Sequence, residues 1–206
     1  MKMEKSQELT KPDRRRTTNQ DQIMMCAMEV FSEIGYMKAT VKDITTRANV
    51  GHGTFYHYFK NKNDLLDRLV DELLEKVDKD VQPKTLSVNL YEAMRMEAQK
   101  ILDFYNHNRG VLLALKEAMM LDTHFKEKWM KISVRLFRRI ERDIKGSMKK
   151  GYCHNLNGDV TIRALACMFE GYGHHLMVQP TSQRETQIAA ESLTDFCYQA
   201  VVKHQA

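Results

Sequence analysis

The side chains with the clearest chemical potential lie between residues 50 and 62, where hydrogen-bonding and cationic groups alternate with aromatic rings. The histidines and the threonine can exchange hydrogen bonds with base edges, and the threonine can also contact a thymine methyl group. The tyrosine and the lysine can reach phosphates, and the glycine lets the backbone approach closely. The residues with these properties are His52, Gly53, Thr54, Tyr56, His57 and Lys62. This set predicts a surface that contacts DNA.

Two short helices joined by a tight turn are predicted to position these side chains. Thr40-Val41-Lys42-Asp43 has the pattern of a capping box and opens a helix that runs to Ala48. Asn49-Val50-Gly51 follows as a turn, since asparagine and glycine tolerate a left-handed backbone. A second helix covers about His52 to Phe59. In a helix-turn-helix, the second helix enters the major groove with its N-terminal residues toward the bases.

The rest of the chain also follows a helical pattern, because apolar residues recur at three- or four-residue spacing. One helix is expected upstream, from about Thr18 to Gly35, where the glycine caps it. A longer helix is expected from Leu65 to Val81, with Pro83 marking its end. About five more helices follow. Since the chain has only 9 Gly and 3 Pro, the sequence predicts an all-α fold of about nine helices that begins with a three-helix helix-turn-helix domain.

At this helix-turn-helix the sequence resembles the TetR family of bacterial transcriptional regulators. The resemblance covers about residues 18–70, a quarter of the chain. The family pattern G-T-x-Y-x-aromatic-F-x-x-K is matched by residues 53–62, and Asn63-Asp64-Leu65-Leu66 continues the match. The upstream family pattern A-x-x-x-F-x-x-x-G-Y is matched by Ala27, Phe31, Gly35 and Tyr36. The chain departs where the family often has serine and a basic residue, at Gly51 and His52, which leaves the base preferred at His52 open.

The resemblance implies a homodimer that binds a near-palindromic operator and is usually a repressor relieved by a small molecule. It implies three parts: a flexible basic arm (1–16), a helix-turn-helix DNA-binding domain (17–64) and a helical ligand-binding and dimerisation domain (65–206). The implied DNA-binding residues are Thr40, Val41, Lys42, Gly51, His52, Gly53, Thr54, Tyr56, His57, Tyr58 and Lys62. The arm ends in Arg14-Arg15-Arg16 and is either a minor-groove contact or a solvated tail.

The family's ligand pocket and dimer interface are expected in the C-terminal part. Aromatic side chains on three helices are candidates for lining a pocket for an apolar or amphipathic effector, or are plain core: Tyr105, Trp129, Phe137, Phe169 and Tyr172. The resemblance places a four-helix bundle at the dimer interface, two helices from each chain. Small and apolar residues on the last two helices are candidates for it: Ala164, Leu165, Met168, Gly171, Leu193, Phe196 and Val201.

One basic helix and several absences complete the sequence-based expectations. Residues 124–150 carry ten Lys and Arg against three Asp and Glu, which indicates a solvated helix face or a surface that attracts an anionic effector. The four cysteines show no metal or disulfide spacing, so we expect buried, reduced thiols. Reduced thiols are typical of a cytoplasmic protein, and we expect a bacterial one that is associated with the nucleoid when it is bound to DNA.

No catalytic set, metal cluster, cofactor motif, signal sequence or membrane segment is recognisable, so neither an enzyme nor a metal site is expected. Adjacent His174 and His175 point about 100° apart on a helix and lack partners at ligand spacing. Two functions remain open: a ligand-released repressor, or an effector-independent DNA-binding or architectural protein of the same fold. The second predicts a filled core between the middle helices.

Overall fold

The computed structural model describes residues 18–80, 89–179 and 181–203, and within these ranges the chain forms nine α-helices. They are α1 (Asn19–Ile34), α2 (Val41–Arg47), α3 (His52–Tyr58), α4 (Lys62–Asp80), α5 (Leu90–His107), α6 (Arg109–Ala118), α7 (Thr123–Lys149), α8 (Gly158–Val178) and α9 (Gln183–Val201). The all-α prediction and the N-terminal helix-turn-helix are therefore confirmed. The predicted arm (1–16) and the predicted helix end at Val81 and Pro83 lie outside the described residues.

The first three helices form a small bundle in which each helix contacts the other two. The end of α1 follows the sequence pattern, because Gly35 adopts φ +80°, a conformation that favours glycine, and its N–H bonds to the Phe31 carbonyl. Phe31 and Phe55 are fully buried between the helices, and their burial fixes the packing of α3 on α1. A stable scaffold therefore holds α3 at one side of the bundle.

Helix α4 links this bundle to the C-terminal helices without a break in the core. Its inward face is aliphatic, and its buried residues belong to one continuous apolar cluster that extends from α1 to α9. The predicted boundary between residues 64 and 65 falls inside this helix, after its third residue.

The C-terminal helices pack as a bundle around α5 and α8. Helix α5 contacts α8 and α9 most extensively, while α7 runs across α4, α6 and α8. Helix α6 lies between the two halves and contacts α1 as well as α4, α7 and α8. Along the described ranges, no helix has a stretch both long and apolar enough to cross a lipid bilayer.

Candidate nucleic-acid interface

The predicted capping box at the start of α2 is present. The Thr40 hydroxyl donates to the Asp43 carboxylate at 2.6 Å and accepts the Asp43 backbone N–H at 3.2 Å. The Thr40 backbone N–H donates to the same carboxylate at 2.9 Å. Because these bonds favour the charged form, the hydroxyl and then the backbone N–H of Thr40 lower the pKa of the Asp43 carboxyl. Thr40 therefore fixes where α2 begins and remains exposed, as do Asp43 and the neighbouring Lys42.

The turn between α2 and α3 uses one left-handed residue. Asn49 has φ +51°, and the Val50 N–H reaches back to the Thr45 carbonyl at 3.0 Å, the bond that closes a Schellman-type helix end. Gly51 instead has an extended backbone, with φ −71° and ψ 153°, and is the N-cap of α3. The expectation that Gly51 needs a left-handed backbone is wrong, because Asn49 alone makes the reversal.

Helix α3 presents one face to the core and the other to solvent. Phe55 and Phe59 are buried, as the core assignment requires. The residues that face outward are Gly51, His52, Gly53, Tyr56, His57 and Tyr58, and Thr54 is half-buried at the edge. A Cβ placed on Gly53 would have no atom within 4 Å, so the space outside this position is open. The exposed face thus carries the hydrogen-bonding groups predicted to contact base edges.

An ion pair fixes α2 against α1. The two guanidinium nitrogens of Arg47 donate to the two carboxylate oxygens of Glu33, both at 2.5 Å, and Glu29 lies 3.6 Å away. This bidentate geometry is directional, and the hydrogen bond from Arg47 is the main reason that the pKa of the Glu33 carboxyl is lowered. The pair orients the helix that precedes the turn.

Lys62 has an internal role that sequence reasoning missed. Its ammonium donates to the carbonyls of Tyr36 and Ala39, at 2.6 Å and 2.8 Å, and lies 4.3 Å from the centre of the Tyr36 ring. The Tyr36 hydroxyl in turn donates to the Asn63 side chain at 2.5 Å, and burial raises the pKa of Tyr36 to about 12. Lys62 therefore ties the α1–α2 loop to the start of α4. One of its three donors is left for the predicted phosphate contact.

The C-terminal half contacts the helix-turn-helix directly through both ends of α6. Near its start, a Cβ on Gly110 would lie only 2.5 Å from the Met28 carbonyl oxygen, so the backbones of α6 and α1 are in close contact. Near its end, the Glu117 carboxylate accepts the Met37 backbone N–H at 2.8 Å. A shift of α6 must therefore move α1 and the loop that leads into α2.

A second link joins α4 to α7. Lys128 is only 5% exposed, and its ammonium lies 2.5 Å from the Asp67 carboxylate and 2.7 Å from that of Asp71. His124 is 2.5 Å from the same Asp67 carboxylate. Burial opposes the charge of Asp67, but the hydrogen bonds from Lys128 and His124 prevail and lower its pKa. One lysine of the basic segment 124–150 is thus neither solvated nor available to an anion.

The five predicted pocket residues lie mainly in the packed interior. Tyr105 is 1% exposed, and Phe137, Phe169 and Trp129 are also buried, with the two phenylalanine rings 6.4 Å apart. Tyr172 is half-buried, with its ring 5.7 Å from that of His175. A small cavity of about 40 Å³ between α4, α5 and α7 is lined by other residues, among them Ile101, Phe104 and Leu136. The role of the five aromatic residues as ligand contacts remains a prediction.

The predicted dimer residues divide between the surface and the interior. Ala164, Gly171 and Phe196 are exposed, and Met168 and Leu193 are half-buried. Leu165 and Val201 are buried within the protomer's own core, so their assignment to a dimer face is wrong. The outward stripe of α8 has a different phase and runs through Val160, Ala164, Cys167, Gly171, His174 and Val178. With Ile188 and Phe196 of α9, these residues form what we call the α8–α9 face.

One cysteine also departs from expectation. Cys153 and Cys197 are buried and Cys26 is half-buried, but Cys167 is exposed on the α8–α9 face. All four thiols are free.

Comparison with known proteins agrees with this geometry. The model of the family described as "Bacterial regulatory proteins, tetR family" matches residues 23–69, which span most of α1 through the first part of α4. The transcriptional regulator YhgD of Bacillus subtilis is 30% identical over 135 residues, 63% of this chain and 69% of that protein. The TetC protein of transposon Tn10 from Escherichia coli is 32% identical over 90 residues, 44% of this chain and about half (46%) of TetC.

The whole fold also has solved counterparts. A regulatory protein of the tetR family from Rhodococcus RHA1 superposes with a TM-score of 0.74 at 19% identity, covering 91% of this chain and 98% of the other. The matched segment contains the capping box, the turn and α3 described above, so the chain has a DNA-binding helix-turn-helix and acts in transcription regulation. The chain belongs to the TetR family of transcriptional regulators.

Proposed function

We propose that the chain is a repressor that binds a palindromic operator as a homodimer and releases it when a small molecule binds among its C-terminal helices. One observation carries the proposal: α6, a helix of the C-terminal bundle, contacts the helix-turn-helix at both of its ends, at Met28 and at Met37. A ligand that changes the position of α6 therefore changes the position of α3, and through it the fit to DNA.

In the DNA-bound state, the exposed face of α3 lies in the major groove. His52, Thr54 and His57 contact base edges, while Tyr56 and Tyr58 contact phosphate or the groove wall. Lys42 and Thr40, exposed at the start of α2, lie toward the adjacent backbone. All of these residues except the half-buried Thr54 are exposed beside the buried Phe55, which supports the assignment.

Dimerisation uses the α8–α9 face. A face that combines small residues such as Gly171 with an exposed Phe196 favours close helix packing against a second copy. A two-fold dimer places two copies of α3 about one DNA turn apart, which matches a palindromic operator.

Release follows from a difference in ligand affinity between two arrangements of α6. A ligand that prefers the arrangement in which the two α3 helices are wrongly spaced draws the population away from DNA. The direct bond between Glu117 and the Met37 N–H gives this shift a physical route.

The test starts with an operator selected from genomic fragments and bound to the full chain. Metabolite fractions are added while the anisotropy of the labelled operator and the thermal midpoint of the free protein are recorded. A fraction that releases the operator and raises the midpoint supports the proposal, because a ligand that binds only the folded state stabilises it. Release by no fraction, together with no thermal shift, would overturn the ligand-responsive part.

The alternative is a DNA-binding protein of the same fold that responds to no effector. The packed state of Tyr105, Phe137 and Phe169 favours it, because a filled interior is what an effector-independent protein needs. The same thermal-shift measurement decides between the two.

A further inference from the structure

Inside the C-terminal bundle, polar groups from three helices meet around the single tryptophan of the chain. The Lys116 ammonium of α6 lies 4.7 Å from the centre of the Trp129 ring of α7. One turn further along α7, the Ser133 hydroxyl donates to the Glu170 carboxylate of α8. Because residues four apart share a helix face, the carboxylate lies about one helical turn from the tryptophan. We call this group the Trp129 cluster and define it by Lys116, Trp129, Ser133 and Glu170.

The Lys116 cation has few partners for a half-buried charge. Within the described residues its contact is the Trp129 ring, and no carboxylate lies within salt-bridge distance of it. Burial lowers the pKa of the Lys116 ammonium, and the charge of Glu170 opposes that shift. The lysine side chain is long and flexible, so it can leave the ring at little cost.

A fourth helix adds a hydroxyl that has no partner. Tyr105 of α5 packs its ring on Gly173, where a Cβ would come within 2.5 Å of the ring, and Gly173 follows Glu170 by three residues on the same face of α8. The Tyr105 hydroxyl is buried and makes no hydrogen bond in the described structure. A buried polar atom without a partner is costly, so this hydroxyl is a natural contact for a polar group of a ligand.

We propose that the Trp129 cluster binds an organic cation, and that in the free protein the Lys116 ammonium occupies the place of the ligand's charge. The aromatic face attracts a cation, and the Glu170 carboxylate held by Ser133 supplies the opposite charge. The ligand displaces Lys116 toward solvent. An anionic ligand would have to pair with Lys116 close to the Glu170 carboxylate, and the negative charge of Glu170 would repel it.

The displaced lysine is adjacent to the residue that holds the helix-turn-helix. Glu117, which accepts the Met37 N–H, follows Lys116 on the last turn of α6. Entry of a cation therefore acts on the same helical turn as the contact to the α1–α2 loop. The inference rests on the proposed function, since it names the class of effector for the same domain.

The test uses two ions of the same shape and opposite charge, tetraphenylphosphonium and tetraphenylborate. Because the full chain has one tryptophan, its fluorescence reports on the cluster directly. The phosphonium is expected to bind and the borate not to bind. Glu170→Gln should weaken phosphonium binding about tenfold or more, while Lys116→Met, which removes the internal competitor, should strengthen it about threefold. Glu127→Gln, an exposed carboxylate of α7, should leave it unchanged.

The Glu170 variant should bind the phosphonium more weakly and the Lys116 variant more tightly. Unfolding of a variant could weaken binding but could not strengthen it, so the pair of variants separates the proposal from simple unfolding. Preferred binding of the borate, lost in Lys116→Met, would overturn the cation assignment, as would no fluorescence response to either ion. Operator anisotropy recorded in the same titrations separates the two proposals. If the phosphonium binds as expected but the operator stays bound, the cation site stands and ligand-induced release fails for it. If a metabolite releases the operator while neither ion binds, release stands and the cation site is wrong.

Discussion

Replacing Gly53 with alanine should change the stability of the chain and its affinity for DNA in opposite directions. Gly53 is the second residue of α3, and a Cβ there meets no protein atom within 4 Å. The variant therefore has no internal steric cost, and it gains helix propensity and loses unfolded-state entropy worth about 0.5 kcal/mol. For a chain of this size, the thermal midpoint should rise by about 1–2 °C.

On DNA the same methyl group lies between α3 and the groove. We expect the α3 backbone to approach the DNA closely at Gly53, so the added carbon must push the helix outward and lengthen the neighbouring contacts. We expect a loss of about 1–3 kcal/mol, which corresponds to an operator complex about 5-fold to 150-fold weaker.

Fluorescence anisotropy with a labelled operator at fixed salt measures the affinity, and circular dichroism measures the thermal midpoint. Gly146→Ala is the matched control, because that glycine of α7 also has open space around its Cβ position but lies far along the chain from the helix-turn-helix. It should stabilise the fold without changing operator affinity. An unchanged affinity in Gly53→Ala would refute the placement of this face of α3 against DNA.

Three further predictions concern the contacts that connect and pair the helices. Lys128→Met should lower the free energy of unfolding by about 1–2 kcal/mol at neutral pH. The difference in stability from the wild type should shrink below about pH 4, because the pKa of Asp67 is lowered in the folded state and the stability that its carboxylate contributes is lost on acidification. A stability difference that does not depend on pH would contradict this. Phe196→Ser, at a side chain that is 66% exposed, should weaken the dimer about a hundredfold in sedimentation while leaving the protomer's helical spectrum intact, and an unchanged dimer would remove the α8–α9 face from the interface. Glu117→Ala should speed hydrogen exchange of the Met37 amide about tenfold, since it removes that amide's acceptor, and unchanged exchange would mean that the contact does not protect it.

Local chemistry made the helix-turn-helix predictable from sequence. The capping box needs only Thr40 and Asp43 three residues apart, and the end of α1 needs only a glycine, so both features are encoded within a few residues. Helical periodicity likewise predicted the five helices after α4, because an apolar stripe is visible in the sequence of each one.

Contacts between distant segments were not predictable in the same way. Lys128 carries the same charge as its solvated neighbours on α7, and nothing in its local sequence shows that Asp67, 61 residues away, lies beside it. The lysine that closes the motif predicts a phosphate contact for Lys62, yet the two carbonyls that its ammonium binds lie more than twenty residues upstream.

The prediction of which α8 residues face outward was wrong for a different reason. Leu165 and Ala164 are adjacent, and both are compatible with a helix interface by composition. Helix α8 is apolar on more than one side, so composition alone does not separate the side that packs on α5 from the side exposed to solvent. The structure separates them, because Leu165 is buried and Ala164 is exposed.

The central claim, that the chain regulates transcription as a dimer on a palindromic operator, is tested most directly by footprinting the full chain on genomic fragments that it selects, with the protein-to-DNA ratio measured on the same complexes. We predict protection of an inverted repeat whose half-sites are about one helical turn apart, with two chains on each site. Protection without a repeated half-site, or binding of a single chain with no sequence preference, would contradict it.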